Sequence, residues 1–144
     1  NQNFFSATNA IENCKKNLIK SRGSIICISS ICGNELIKGA PITYSTAKAA
    51  LNFYSKSLSH YLGPLGVKIN TISPGNILFP GSVWDKKLKK NYGATKKLIK
   101  KNVPSNLFGK RSDITNLVKY LISPNAEFVN GSNFVIDGGQ TIKN

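Results

Sequence analysis

The stretch Gly23-Ser-Ile-Ile-Cys-Ile-Ser-Ser30, followed by a loop and then Thr43-Tyr-Ser-Thr-Ala-Lys-Ala-Ala-Leu51, decides the fold class. Ser24 to Ser30 is a short, nearly continuous β-type run, as expected of a strand buried on both faces. From Thr43 to Leu62 the period changes: Ala47, Ala50, Leu51, Tyr54, Leu58 and Leu62 form one apolar stripe of a long helix, which Gly63-Pro64 stops. The small residues Ala47, Ala49 and Ala50 allow another element to approach closely. Val67 to Ser73 reads as a second strand, broken by Pro74-Gly75. Upstream, Phe4, Ala7, Ile11, Cys14 and Leu18 predict a helix over Phe4 to Lys20, ended by Gly23. Downstream, residues 76–107 read as irregular with a lysine-rich helix inside them. Asp113 to Ser123 predicts a short helix N-capped by Ser112, and Asn133 to Ile136 a third strand closed by Asp137-Gly138-Gly139. Strands alternating with helices predict an α/β fold with a parallel sheet and right-handed crossovers. Three strands leave an open edge on a strand that reads as central, so something is expected to cover it.

Bulk composition bounds the function classes. The 144 residues suffice for one domain with a core; 40% are hydrophobic and 18% charged, which reads as globular. No apolar run approaches the ~20 residues of a membrane span, and no signal peptide is visible. Cys14, Cys27 and Cys32 lack metal-ligand spacing and read as reduced core thiols of a cytosolic protein. The net charge of +14 is concentrated between Lys86 and Lys101. No Arg-rich patch with interleaved aromatics accompanies it, so solvated helix faces are the leading reading and nucleic-acid binding a minor one. The sequence holds no methionine and starts at Asn, and so reads as a piece of something longer.

Three residues carry chemistry. Tyr44 and Lys48 stand four apart at the start of a predicted helix, with Ser30 fourteen residues upstream at the end of a predicted strand. Side chains at i and i+4 stack on one helix face, so an ammonium comes within reach of a phenol. A nearby positive charge favours a phenolate, and a tyrosine so placed can exchange a proton with an alcohol or carbonyl. Taken singly, each has a plainer reading: a packing tyrosine, a solvated lysine, a strand-end hydroxyl.

Four ordered blocks outweigh those plainer readings. Gly23-Ser-Ile-Ile-Cys-Ile-Ser-Ser30, Tyr44-Ser-Thr-Ala-Lys48, Val67-Lys-Ile-Asn70-Thr-Ile-Ser-Pro74-Gly75 and Gly131-Ser-Asn-Phe-Val-Ile-Asp137-Gly138-Gly139 together resemble the C-terminal half of a classical short-chain dehydrogenase/reductase. The resemblance covers nearly the whole chain. It implies the last three strands of a Rossmann-type doubly wound sheet, and hydride transfer between NAD or NADP and a carbonyl or alcohol. By the same resemblance Tyr44 is the acid/base, Lys48 supports it and binds the nicotinamide ribose, and Ser30 holds the substrate oxygen. Strand alternation sends Ser29 and Ser30 to opposite faces, and Ser30 fits the family position better. Asn3, twenty-seven residues before Ser30, matches the family's fourth catalytic position, with Asn1 as the alternative. Pro74, Gly75 and Ile77 match the turn where backbone meets the nicotinamide; Phe79 stands where the family commonly has Thr, and its ring is a candidate pocket wall.

Residues 76–107 occupy the family's substrate loop, where Phe79, Pro80, Val83 and Trp84 are candidates for a lid over the substrate. The lysines there suit an anionic substrate or an acidic carrier protein, though the wet face of a helix explains such a run equally simply. His60 is assigned no catalysis. A glycine-rich phosphate loop is absent from these residues, so the choice between NAD and NADP is unreadable and an N-terminal cofactor-binding half is expected elsewhere. The substrate is left open between a 3-oxoacyl thioester on a carrier and a polar, sugar-like alcohol. Family analogy implies a homodimer or homotetramer paired through the helix at 43–62. The competing class is a non-catalytic fragment that acts only as a structural or assembly partner.

Overall fold

The computed structural model describes residues 2–141. Helix α1 (Gln2–Ser21) leads into strand β1 (Ser24–Ile28), helix α2 (Ile42–Leu62), strand β2 (Lys68–Pro74), helices α3 (Val83–Lys90), α4 (Tyr92–Asn102) and α5 (Arg111–Ile122), and strand β3 (Asn133–Ile136). The three strands form one parallel sheet in the order β1-β2-β3. Ser24 pairs with Lys68 and Ile28 with Ile72; Thr71 pairs with Asn133 and Pro74 with Ile136. The α/β class and the parallel pairing are as the sequence predicts. Among the described residues β1 pairs only with β2, and Ile28 is half exposed at that edge.

The core lies between α1, α2 and one face of the sheet. Ile11, Leu51, Leu58 and Leu62 pack on Cys27, Val67 and Ile69, with Phe4, Leu18 and Tyr54 at the margin. The predicted stripe of α2 is thus the buried one. Cys14 departs from its prediction: it is exposed, while Cys27 is buried and Cys32 half-buried, all three as free thiols.

Alternation along β2 fixes which helix lies on which face. Thr71 points to α2, where its Oγ1 donates to Ser55 Oγ at 2.9 Å. Lys68 points the other way, and its Nζ donates to the carbonyls of Leu121, Ser123 and Ala126 at 3.2–3.3 Å, capping the end of α5. So α2 and α5 lie on opposite faces of β2, which is buried throughout its middle. Both crossovers step the same way across the sheet yet pass on opposite faces, and they therefore have opposite hands. The expectation of right-handed crossovers throughout is corrected accordingly. The Lys68 ammonium ties the end of α5 and the turn after it to that face of β2, and the Ser123 and Ala126 carbonyls also accept the N–H groups of Ala126 and Val129. Lys68→Met removes a charged donor from all three, and we expect a loss of roughly 1–3 kcal/mol in urea unfolding, the size of a charge-assisted hydrogen bond.

Several element boundaries also move. The left-handed residue after α1 is Arg22 (φ 49°), not Gly23, whose N–H donates back to Leu18. Gly63 continues helically into a 3₁₀ turn, and Gly66 (φ 82°) makes the break. The lysine-rich segment is two helices rather than one, divided at Asn91, whose Oδ1 accepts the Ala94 N–H. Helix α5 is capped not by Ser112 but by the Asp113 carboxylate, which accepts the Lys110 N–H at 2.7 Å.

Candidate active site

Strand β1 ends one residue before Ser29, whose N–H still reaches the Ile72 carbonyl. The chain then turns through a 3₁₀ segment, Ile31–Gly33, capped by Ser30: its Oγ accepts the Cys32 N–H at 3.2 Å. Gly33 is required there, because a Cβ would sit 2.7 Å from the Lys48 carbonyl carbon. That contact lets α2 settle directly over the strand end. Helix α2 starts after Pro41, so Tyr44 lies in its first turn and Lys48 one turn deeper.

The strand end and the helix are tied reciprocally. Lys48 Nζ donates to the Ile28 carbonyl at 2.9 Å, and Ser29 Oγ donates to the Lys48 carbonyl at 3.2 Å. The ammonium lies 5.7 Å from the centre of the Tyr44 ring. Only 9% of Lys48 is exposed, and burial pushes its pKa down from 10.5, with nearby Cys27 opposing the shift. Burial pushes the Cys27 thiol up from 9.0, against the pull of Ser55 and Lys48. A buried ammonium with one backbone partner retains two N–H donors.

A cleft of about 720 Å³ opens beyond the carboxyl ends of the strands, and Ser30, Tyr44, Gly75, Asn76, Trp84 and Gln140 are among its walls. This is where ligands bind in open α/β sheets. Ser30 and Tyr44 therefore meet in one cavity, whereas Ser29 is committed to α2. Trp84 also lines the cleft. Its ring is braced by Phe108, with ring centres 5.5 Å apart. Phe79, expected at the pocket, instead lies under the Arg111 guanidinium at 5.1 Å and does not line the cleft. Asn3 is exposed in the first turn of α1, and it too is not among the cleft residues. Asn1 lies outside the described residues.

The turn after β2 holds the residues predicted to meet a nicotinamide, of which Pro74 and Ile77 do not line the cleft. Gly75 lines the cleft, and a Cβ there would meet Asp137 Cβ at 2.8 Å, so glycine alone lets the two turns close. Pro74 ends the strand beside it. Ile77 bridges to Gly109, but the bonds run from Gly109 N–H to Asn76 and from Leu78 N–H to Gly109, at 3.0 and 2.8 Å. That pattern leaves the N–H and C=O of Ile77 itself on the opposite edge, and Ile77 lines a smaller cavity of about 150 Å³ rather than the cleft. Sequence reasoning missed Asn76 and Gln140, which clasp each other across the cleft (Nδ2 to Oε1, 2.7 Å). It also missed Cys32 beside Ser30. Only the positions of Asn76 and Gln140, each just after a glycine turn, hinted at them.

Fold and cleft define a Rossmann-type α/β protein with a serine, a tyrosine and a lysine gathered at the carboxyl end of its sheet. A family model described as enoyl-(acyl carrier protein) reductase matches residues 1–141. The chain is 38% identical over 120 residues to isoepoxydon dehydrogenase of Aspergillus clavatus, covering 82% of this chain and 45% of that protein. It superposes on 4-hydroxyisoleucine dehydrogenase complexed with NADH with a TM-score of 0.86 and 31% identity, over 99% of this chain and 57% of that one. L-sorbose reductase of Gluconobacter frateurii, complexed with NADPH and L-sorbose, gives a TM-score of 0.87 at 27% identity, over 97% and 56%. The chain belongs to the short-chain dehydrogenase/reductase family. It spans about half the length of the curated relatives it matches.

Proposed function

We propose that this chain is the C-terminal, proton-transferring half of an NAD(P)-dependent oxidoreductase that interconverts a carbonyl and an alcohol. One observation carries the reading: Ser30 and Tyr44 face a common cleft, with the Lys48 ammonium held beside the Tyr44 ring. A carbonyl oxygen placed between the two hydroxyls accepts a hydrogen bond from each, which stabilises the negative charge that develops on it. Tyr44 then delivers its proton to that oxygen during reduction and takes one back during oxidation. The positive charge of Lys48 stabilises the tyrosinate formed at that moment. Its tie to Ile28 holds the ammonium in place throughout, and its remaining donors suit a ribose hydroxyl. When bound, the nicotinamide supplies or accepts the hydride, with Ile77 and Gly75 as its backbone seat.

The relatives complexed with NADH and with NADPH support either cofactor, and an N-terminal half supplies the pyrophosphate site. Phe53 and Tyr61 on α2 and Phe5 on α1 are largely exposed, which supports pairing of these helices in a homodimer or homotetramer. Free thiols at all three cysteines support a reducing, cytosolic setting. The test is the complete protein with NADH and NADPH against a panel of ketones, and with NAD+ and NADP+ against a panel of alcohols, followed by cofactor absorbance. Cofactor-dependent turnover is expected with one of the two, and inertness towards the whole panel would leave only a structural role.

A further inference from the structure

The cleft wall opposite Ser30 and Tyr44 is not neutral. Helix α3 carries four lysines, 86, 87, 89 and 90, and they do not share one role. All four are exposed; Lys89 is paired with Asp85 at 2.8 Å. Lys87 alone of the four lines the cleft. Its Nζ lies 4.6 Å from the centre of the Trp84 ring, which is itself braced by Phe108. Its carbonyl is held by the Asn91 N–H at 2.9 Å and by Thr95 Oγ1 at 3.1 Å, so the residue is fixed at the corner between α3 and α4. Trp84 is thus a platform that keeps a cation pressed to the cleft wall rather than swinging in water.

Around that cation the wall is apolar: Val83, Leu98 and Ile99 line the same cleft. Lys38 and the acidic Glu35 also line the cleft, and neither the Lys15–Glu12 nor the Lys89–Asp85 ion pair involves Lys87. Lys87 is solvent-exposed like its neighbours, and what sets it apart is position: its ammonium lies over the Trp84 ring on the cleft lining, where it attracts an anion entering the cleft. We propose that the substrate of this cleft is a small keto or hydroxy acid: its reacting oxygen sits at Ser30 and Tyr44, its hydrocarbon part against Leu98 and Ile99, and its carboxylate on Lys87. Lys87 is then the specificity-determining residue of the site. The assignment rests on the reading of Ser30 and Tyr44 given above. It favours a small anion over an acidic carrier protein, which would dock on the lysines away from the cleft and not need the one on its lining.

The test compares 4-oxopentanoate with its methyl ester as substrates of the complete enzyme. In the parent, kcat/KM favours the acid by about tenfold or more, the range of a charge-assisted contact. In Lys87→Gln that ratio falls towards one, in Lys87→Arg it is largely kept, and Lys86→Gln, on the solvent side of the same helix, leaves it where it was. An unchanged ratio in Lys87→Gln overturns the proposal, and so does an equal loss on acid and ester, which marks a structural role. A ratio lost only when Lys86, Lys90 and Lys97 are neutralised together overturns it in favour of a docked acidic macromolecule. Should neither compound turn over, Trp84 fluorescence decides. Quenching by 4-oxopentanoate in the parent but not in Lys87→Gln upholds the site while the catalytic reading fails, and no response in the parent refutes the site itself.

Discussion

Tyr44→Phe in the complete enzyme is expected to lower kcat by on the order of 10²–10⁴, the usual worth of a positioned acid/base. Cofactor affinity should hold nearly constant. The reasoning is local. The substitution deletes one oxygen and keeps the ring, so the first turn of α2 and the contact with the Lys48 ammonium at 5.7 Å both survive. Ser30 still lines the cleft and still caps its 3₁₀ turn through Cys32. Only the proton donor is gone. Steady-state rates together with a cofactor titration by fluorescence separate the two effects. Turnover within a few-fold of the parent would remove Tyr44 from the role assigned to it.

Lys48→Met should be comparably damaging to turnover and yet harmless to the fold. Lys48 is buried, and burial lowers its pKa from 10.5, so its charge is a burden on the native state at neutral pH. Between that lowered value and 10.5 the unfolded chain binds more protons than the folded one, and the parent therefore gains stability as pH rises through the window. Below the window the penalty is complete; above 10.5 it has vanished. The methionine variant never carries the penalty. Its stability relative to the parent is expected to be equal or higher at pH 7, after loss of the bond to Ile28, and to decline relative to the parent towards pH 10.5. Cys27 works in the opposite sense, since its raised pKa makes stability fall with rising pH. Removing Lys48 takes away a charge that holds the thiol down, so this effect deepens in the variant and adds to the relative decline. Urea unfolding of both proteins at pH 7 and pH 10 measures the difference. A variant clearly less stable than the parent at pH 7 would mean that Lys48 serves the fold.

The parts legible in the sequence were those with a short-range signal. Ser24–Ile28 is a mostly apolar run and Lys68–Pro74 a β-type stretch, both next to glycines, and α2 shows its stripe plainly. Ser30 and Tyr44 meet because the strand end and the helix start are adjacent in any unit of this kind. What escaped depends on partners far along the chain. On the face taken by α5, Lys68 reaches carbonyls more than fifty residues away. Phe79 turns to Arg111 because that guanidinium offers its ring a cation, and nothing near Phe79 in sequence announces it. Asn91 divides the lysine-rich segment by capping α4, a signal masked by the lysines on either side of it. The distinction between Lys87 and the lysines around it is likewise invisible until Trp84 is seen beneath it.

The central claim is that Ser30, Tyr44 and Lys48 serve a carbonyl to which hydride is delivered from a nicotinamide seated over Gly75 and Ile77. It is tested most directly by supplying the complete enzyme with NADH or NADPH deuterated at the transferable C4 position and analysing the alcohol by mass spectrometry. The account predicts one deuterium on the carbinol carbon, none from solvent D₂O at that position, and transfer slowed by on the order of 10²–10⁴ when Tyr44 is phenylalanine. A product whose carbinol hydrogen comes from solvent, or an alcohol formed equally well by the Tyr44→Phe enzyme, would contradict it.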